Sequence, residues 1–309
     1  RKPHTLVIVG GDGTINEVIN GILYPENITL GYIPTGSGND FGRSYRFPNN
    51  PLQALELILS PPRIRNIDIG ELSYNGKNRR FLVSSGFGFD AAICHEVVVS
   101  HWKPRLNRLH LGKLVYVFVA LRQWFHLKPR KAVVTLDGTE THTFERCYFI
   151  TSMNHPYEGG GFMFAPDANP SDRKLSVCVL ADLPKLKMLL LLPTALWGKH
   201  IRFQGVFQYT CKELSIHSVK ARELHTDGVV YRNKSASLLH FNHPVSHANV
   251  GLDVLWRIRI LFNLLAKRSH KHTKRSYVIL PTAPPYFLRD KRMSQYFSHI
   301  SGKQAQKLI

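Results

Sequence analysis

The fold of this chain is decided by the stretch Leu6-Val7-Ile8-Val9-Gly10-Gly11-Asp12-Gly13-Thr14-Ile15-Asn16-Glu17. An apolar, β-branched run breaks into three glycines around one aspartate, and apolar residues then recur at helical spacing at Ile15, Val18, Ile19 and Ile22. The pattern predicts a buried strand, a tight loop and the start of a helix. Because the first turn of a helix leaves N–H groups unpaired, this loop is a candidate phosphate site. The acid beside it indicates that Mg²⁺ accompanies the phosphate.

A second loop of the same kind follows about twenty residues later. Thr29–Ile33 predicts a short strand, and Pro34-Thr35-Gly36-Ser37-Gly38-Asn39-Asp40-Phe41 comes directly after it. Read alone, Gly-Asp-Gly is equally typical of an ordinary strand-to-helix turn, and neither the dinucleotide nor the P-loop fingerprint is present. Ligands of open α/β sheets bind beyond the carboxyl ends of neighbouring strands. We therefore predict that the two loops form one pocket.

The two loops together resemble the diacylglycerol kinase catalytic-domain family, which includes bacterial soluble lipid kinases and the sphingosine and ceramide kinases. The first loop is shared with NAD kinases and phosphofructokinases, whereas the second, ending Gly38-Asn39-Asp40-Phe41, is much more specific to lipid kinases. The resemblance covers roughly residues 4 to 241.

This resemblance implies an ATP-dependent kinase that uses Mg²⁺ and a lipid alcohol such as diacylglycerol as the acceptor. The phosphates of ATP would rest on the first loop, and Thr35 and Ser37 would donate from the second. Asp12 would act as a catalytic residue that positions the metal or the acceptor hydroxyl. The implied ATP-binding residues of the first loop are Gly10, Gly11, Asp12, Gly13, Thr14, Ile15 and Asn16.

The order of the patterns predicts two domains and a tail. Residues 1–67 alternate strand and helix, as expected of an α/β nucleotide-binding domain with a parallel sheet. Residues 68–241 contain several short strands with hairpin turns and predict a β-sandwich-like domain. The family opens with an earlier strand and an Asn-Pro loop that have no counterpart here, so we expect an incomplete first domain, truncated at its N-terminus. The stretch 183–199 predicts an amphipathic helix that covers the core.

A further match concerns a structural metal. The family has a triple-glycine turn and then an Asp-Gly-x-Leu strand entry, which correspond to Gly159–Gly161 and Asp172–Leu175. By resemblance, Asp172 would bind Mg²⁺ together with the carbonyls of Asn169 and Lys174. The alternative is a surface Asx turn. Arg173 stands where the family has glycine, at a position suited to positive φ, which a bulky residue resists.

The family's Asp-Gly-Glu motif has its counterpart in Asp227-Gly228-Val229. The family's glutamate is the proposed general base for the lipid hydroxyl, and valine cannot accept a proton. Asp227 is then the candidate substitute as a catalytic residue. Without the resemblance, Asp-Gly between two strands is a plain type I′ turn.

The charge of the chain calls for an anionic partner. Its 309 residues include 41 basic and 21 acidic side chains, a net charge of +20. Residues 242–309 hold 12 of the basic and 2 of the acidic ones, and we interpret them as a basic tail. Within it, Leu252–Arg268 predicts an amphipathic helix suited to an anionic membrane surface, followed by a disordered remainder. A tail unrelated to the fold is the alternative. No recognition motif points to nucleic acid.

Composition also indicates a compartment. The cysteines at 94, 147, 178 and 211 are widely spaced without a C-x-x-C pair, which suits reduced thiols in the cytoplasm. The apolar runs are too short to span a bilayer, so we expect a cytoplasmic enzyme that binds the membrane peripherally. The oligomeric state stays open, with a homodimer among the alternatives. Two other functions remain: an NAD kinase-like enzyme, and a catalytically impaired relic that binds nucleotide or lipid.

Overall fold

The computed structural model describes residues 4–61, 63–99, 112–242, 247–250 and 277–279. The described chain forms an α/β domain followed by a β-sandwich-like domain, as the sequence predicts. The change from one sheet to the other falls between Asp68 and Gly70.

The first domain alternates strands and helices as the sequence pattern requires. Its elements are β1 (His4–Gly10), α1 (Asp12–Gly21), a 3-10 turn at Pro25–Asn27, β2 (Ile28–Pro34), α2 (Asp40–Tyr45), α3 (Pro51–Leu59) and β3 (Arg65–Asp68). Helix α1 turns Ile15, Val18 and Ile19 into the core, which is the face that the periodicity predicts. Helix α3 begins at Pro51 behind an Asn50 cap, whose side-chain oxygen accepts the N–H of Leu52 at 2.9 Å.

The sheet of this domain is mixed and includes two strands from further along the chain, β13 (His247–Val250) and β14 (Tyr277–Ile279). Its strand order is β14-β1-β2-β13-β3. Strands β1 and β2 are parallel, so the carboxyl ends of both lie at one edge. Strands β13 and β14 are short and lie within the segment predicted as a tail. The sheet is therefore not wholly parallel, because β14 runs antiparallel to β1 and β13 antiparallel to β3. The predicted helix at Leu252–Arg268 lies outside the described residues.

The second domain is built on a nine-stranded antiparallel sheet. Its strands are β4 (Gly70–Tyr74), β5 (Lys77–Phe81), β6 (Ser84–Gly88), β7 (Arg130–Leu136), β8 (Glu140–Met153), β9 (Leu175–Ala181), β10 (Val206–Cys211), β11 (Leu214–Thr226) and β12 (Val229–Asn242). Their order is β10-β9-β8-β6-β11-β12-β4-β5, and β7 pairs with both β8 and β11. The long strands β8 and β11 therefore contribute to two parts of the sheet, which wraps around a core of buried aromatic and aliphatic side chains.

Three of the hairpins in this domain turn at an Asn-Gly or Asp-Gly dipeptide. Asn75-Gly76, Asp137-Gly138 and Asp227-Gly228 all have two successive positive φ angles, between 47° and 73°. Two positive φ angles define the type I′ turn, whose twist matches that of paired strands. The turn interpretation of Asp227-Gly228 is thus correct, whatever else the aspartate does.

Helices cover the outer side of the second domain. They are α4 (Phe89–Val99), α5 (Gly112–His126) and α6 (Lys185–Leu191), and two 3-10 turns, Leu192–Trp197 and Lys199–Arg202, follow α6. The helix predicted over 183–199 is therefore shorter than expected. Pro193 lacks the N–H that would continue the α-helical pattern, and Gly198 ends the first turn at a φ of 65°. Among the described helices, none is long and apolar enough to cross a bilayer.

The two glycine-rich loops meet at the carboxyl ends of β1 and β2. The N–H of Thr35 donates to the carbonyl of Gly10 at 2.8 Å. A Cβ atom on Gly36 would stand 2.6 Å from the Cα of Gly11, so the two backbones approach as closely as only glycine allows. This contact confirms that the loops lie side by side.

We predict that Gly36→Ala lowers the free energy of unfolding by about 1–3 kcal/mol, because the new methyl group has to push against backbone atoms of the first loop. Gly21→Ala is the matched control, since a Cβ there meets nothing within 4 Å. Denaturant unfolding of both variants checks this. Equal stability of the two variants would contradict the close approach of the loops.

Candidate functional site

Asp12 joins the first loop to the helix that follows the second. Its two carboxylate oxygens accept the N–H groups of Asp40 and Phe41, each at 3.0 Å. These N–H groups belong to the first turn of α2, where a carboxylate is favoured. Burial raises the pKa of Asp12, although these hydrogen bonds oppose the shift. The role predicted for Asp12 at the metal or the acceptor stays a prediction; the structure shows it as a bridge between loops.

Asn39 fixes the shape of the second loop. It adopts a left-handed conformation with φ of 55°, which asparagine tolerates better than most residues. Its side-chain oxygen accepts the N–H of Gly36 at 2.9 Å, and its amide donates to the carbonyl of Gly36 at 3.0 Å. The phenol of Tyr32 also donates to this side-chain oxygen. The loop is therefore held from inside, and the side chains of Thr35 and Ser37 stay exposed.

The third part of the site comes from the second domain. Gly159, Gly160 and Gly161 have φ angles of 66°, 86° and 120°, a run that favours glycine at all three positions. The N–H of Gly160 donates to Asp40 Oδ2 at 2.7 Å. Arg43 donates to the carbonyls of Gly38 and Gly160, both at 3.3 Å. The triple-glycine loop therefore closes against the second loop, and the site lies between the two domains.

Asp40 is the site residue that the sequence reasoning missed. It is buried, it ion-pairs with Arg43 at 3.4 Å, and it holds the triple-glycine loop. Burial, followed by the charge of Asp12, raises its pKa to about 7. The signal was present in the Gly-Asn-Asp-Phe run, which served only to identify the family. Asp40 is thus a carboxyl group that changes charge near neutral pH.

The predicted ATP-binding residues of the first loop fall into two groups. Gly11, Asp12 and Gly13 are only partly buried, and they start α1 beside the exposed hydroxyls of the second loop. Gly10, Thr14, Ile15 and Asn16 are buried. The Thr14 side chain covers Gly10, where a Cβ would lie 2.4 Å from the hydroxyl oxygen, and Ile15 packs in the core. The four buried residues therefore shape the loop, and direct contact with phosphate is expected only from Gly11, Asp12 and Gly13.

Asp227 is fully engaged with the protein. Its Oδ1 accepts the N–H groups of Val83 and Ser84 at 2.8 and 3.0 Å. Its Oδ2 accepts the N–H of Leu82 and the side-chain amide of Asn16, both at 3.0 Å. Burial raises its pKa to about 6, and these donors oppose the shift. The carboxylate links α1, the start of β6 and the β11–β12 turn. The predicted role of Asp227 as a base stays untested, but a base at this position would have to give up a hydrogen bond.

A buried cluster of Asp90, Glu158 and His225 lies next to this turn. His225 Nε2 is 3.1 Å from Asp90 Oδ2 and 2.8 Å from Glu158 Oε1. These atoms are close enough to one another to hold a metal ion. However, the N–H of Gly228 donates to His225 Nδ1 at 3.2 Å, which places the proton of a neutral ring on Nε2, facing both carboxylates. The arrangement suits a shared proton better than a set of metal ligands.

The residues predicted to hold a structural Mg²⁺ form two successive Asx turns. Asn169 Oδ1 accepts the N–H of Ser171 at 3.1 Å, and Asp172 Oδ1 accepts the N–H of Lys174 at 3.0 Å. The donor set of one carboxylate and two carbonyls suits a hard cation, but the turns account for the geometry without one. Arg173 has a φ of 59°, and its N–H donates to Asp68 at 2.5 Å. The bulky residue therefore does adopt the left-handed conformation.

The fold and the site define a two-domain protein in which glycine-rich loops from both domains meet at one cleft. The model of the diacylglycerol kinase catalytic domain matches residues 1–72, and that of the YegS C-terminal NAD kinase beta sandwich-like domain matches residues 83–237. The chain belongs to the diacylglycerol kinase family.

Curated relatives agree with this assignment, and a solved structure shares the fold. The chain is 29% identical over 232 residues to YtlR of Bacillus subtilis, which is named as a candidate lipid kinase, covering 74% of this chain and 75% of the relative. It is 28% identical over 230 residues to a diacylglycerol kinase of the same organism, covering 74% and 72%. A diacylglycerol kinase structure from Bacillus anthracis superimposes with a TM-score of 0.56 at 19% identity, covering 81% of this chain and 76% of the other, and supports the fold.

We predict that Asp40 makes the stability of the protein depend on pH. Its pKa rises from 3.8 to about 7 on folding, so the folded state binds the proton more tightly. The stability due to Asp40 is therefore complete below the unfolded pKa and is lost as pH rises through the folded one. The advantage of wild type over Asp40→Asn in free energy of unfolding should fall by at least about 1 kcal/mol between roughly pH 4 and 8. A difference that stays constant over this range would contradict the assignment.

We also predict that Arg173→Gly raises the free energy of unfolding by up to about 1 kcal/mol, because glycine adopts the left-handed conformation without a steric penalty. Arg173→Ala is the control, since it removes the same charge and contacts but keeps the Cβ atom. Thermal or denaturant unfolding should show a gain for glycine over alanine. A gain of equal size for both would assign the effect to the lost side chain and not to the backbone.

Proposed function

We propose that this chain transfers the γ-phosphate of ATP to the hydroxyl of a lipid such as diacylglycerol. The observation that carries the proposal is the meeting of three glycine-rich loops, around Gly11, Gly36 and Gly160, at the start of α1. Family membership and the names of the relatives favour a lipid acceptor.

The described loops offer suitable partners for a nucleotide. The start of α1 presents backbone N–H groups and the positive end of the helix dipole to phosphate. The exposed hydroxyls of Thr35 and Ser37 can donate from the second loop. Mg²⁺ bound with ATP would neutralise the phosphate charge. Asp12 is the acidic residue of the first loop. In phosphoryl transfer, positioning and charge stabilisation supply most of the rate enhancement.

The residues that would act on the lipid acceptor are less suited to catalysis than the loops that would bind the nucleotide. Val229 lies against the first loop, because its Cγ2 atom is 3.5 Å from where a Cβ on Gly13 would stand. The position of the family's glutamate therefore faces the proposed phosphates, but valine brings no proton acceptor. Since Asp227 is held by four donors, this arrangement favours slow turnover. A catalytically impaired relic that binds nucleotide is the second candidate.

Peripheral attachment to an anionic membrane forms part of the proposal. A lipid acceptor resides in a membrane, and the net charge of +20 favours an anionic surface.

The direct experiment measures transfer of radiolabelled phosphate from ATP to a panel of lipid alcohols, with NAD as the competing acceptor. Label in a lipid phosphate supports the proposal, and label in NADP would replace it with the NAD kinase-like alternative. ATP binding by calorimetry without transfer to any acceptor would favour the relic.

We predict that Val229→Glu raises lipid phosphorylation at least tenfold, because a positioned carboxylate that removes the hydroxyl proton contributes roughly 10²–10⁴ in rate. Val229→Gln is the control, since it has the same length and polarity without the ability to take the proton. ATP affinity should be the same in all three proteins. Equal turnover of the glutamate and glutamine variants would show that no base is needed at this position.

A further inference from the structure

We propose that α6 and the two 3-10 turns behind it form a docking face for an anionic lipid bilayer. The apolar part of this docking face consists of Leu186, Leu190, Leu196, Trp197 and Phe203, and its basic part includes Lys199 and Arg202. The proposal rests on the proposed use of a membrane lipid, and it assigns membrane contact to the second domain and not to the predicted tail.

Helix α6 carries large apolar side chains on both its buried and its exposed side. Met188 and Leu191 are buried in the core of the second domain. Leu186 and Leu190, one helical turn apart, are 61% and 67% exposed, and Trp197 in the following turn is 67% exposed. Water is a poor environment for such large apolar side chains. Side chains of this kind on adjoining segments mark an interaction surface.

The positive charge around the docking face favours an anionic partner. Residues 183–212 contain five lysines and arginines and no aspartate or glutamate. Lys199 and Arg202 are exposed beside Trp197 and Phe203. Lys185 donates to the carbonyl of Phe125 at 2.8 Å, which fixes the start of α6 against α5. A second copy of the chain would bring two basic segments together, whereas an anionic bilayer offers both an apolar interior and the opposite charge.

The docking face is attached directly to the cleft. The N–H of Met163 donates to the carbonyl of Ala195 at 2.7 Å, and Gly198 packs closely on Pro166. Residues 163–166 follow the triple-glycine loop, whose Gly160 holds Asp40. A bilayer bound at α6 would therefore rest on turns that pack directly against the segment following the triple-glycine loop, close to the cleft that a lipid acceptor has to reach.

The apolar part is tested with a matched pair of variants in the full chain. Leu186→Glu and Leu52→Glu both replace an exposed leucine at the second position of a helix, α6 and α3 respectively. Co-sedimentation with phosphatidylcholine vesicles containing phosphatidylglycerol should fall at least fivefold for Leu186→Glu and stay at the wild-type value for Leu52→Glu. Quenching of tryptophan fluorescence by brominated lipid should drop in Trp197→Phe.

The basic part is tested in the same assay. Lys199→Gln/Arg202→Gln should lower vesicle binding about tenfold at low salt, and the difference should shrink as salt screens the charges. Lys77→Gln/Lys220→Gln is the control for total charge, since both of these lysines are exposed outside the docking face and Lys77 lies on β5, at the opposite end of the strand order from β10.

Vesicle binding needs no turnover, so it tests the docking face separately from the kinase activity. Wild-type binding by Leu186→Glu and by the Lys199→Gln/Arg202→Gln protein would overturn the proposal and leave the predicted tail as the membrane contact. A dimer in sedimentation that is lost in Leu186→Glu, with unchanged vesicle binding, would overturn it in favour of a second copy. If the face binds as proposed but no lipid is phosphorylated, the proposed function fails and the docking face stands.

Discussion

The structure depends on the carboxylate of Asp12 and the two N–H groups that it accepts. A helix start has N–H groups without partners, and α2 obtains two of its partners from a residue on a different helix. This places Asp40, the first residue of α2, so that its own carboxylate receives the N–H of Gly160 from the second domain. Two hydrogen-bonded aspartates in series thus connect the first loop, the second loop and the triple-glycine loop. The first two loops also follow strands of one sheet, whereas the triple-glycine loop is joined to them across the cleft through the side chains of Asp40 and Arg43.

Acidic groups are concentrated at this cleft although the chain as a whole is strongly basic. Asp40 and Asp227 are buried and Asp12 is partly buried, and burial raises the pKa of each. Such groups are costly unless donors surround them, and each accepts backbone N–H groups. Arg43 ion-pairs with Asp40 at the cleft, whereas Lys199 and Arg202 face solvent. The carboxylates at the cleft fix the loops, and the exposed cations are available to an anionic partner.

Local sequence patterns predict most of the secondary structure of this fold. The strand, loop and helix around Gly11 and the three type I′ turns follow from glycine spacing and apolar periodicity, so the sequence predicts them. The mixed order of the first sheet could not be predicted in this way. Its strands β13 and β14 are short and come from far along the chain, and no local pattern determines which strand they pair with. The predicted helix over 183–199 was too long, because Pro193 cannot donate the N–H that continues an α-helix, whatever the leucine periodicity favours.

The site could be predicted in part. The meeting of the two loops followed from their positions at the ends of neighbouring strands, but Asp40 was missed, because its partner Gly160 lies 120 residues away. Asp227 was chosen by its place in a motif, whereas its four donors come from Asn16 and from a strand start that no spacing rule connects to it. Sequence patterns identify which residues are unusual; the pairing of distant backbone groups decides what they do.

The four hydrogen bonds to Asp227 have a consequence for how such a protein can change over evolutionary time. The aspartate accepts the N–H groups of Leu82, Val83 and Ser84, whereas Val229 lies against the first loop and the core of the second domain. A chain can therefore lack a carboxylate at 229 and keep this fold, whereas loss of the aspartate would leave those buried N–H groups without their acceptor. The fold of such a protein can persist after its catalytic activity is lost. An aspartate in this motif therefore indicates a folded protein and does not by itself indicate an active enzyme.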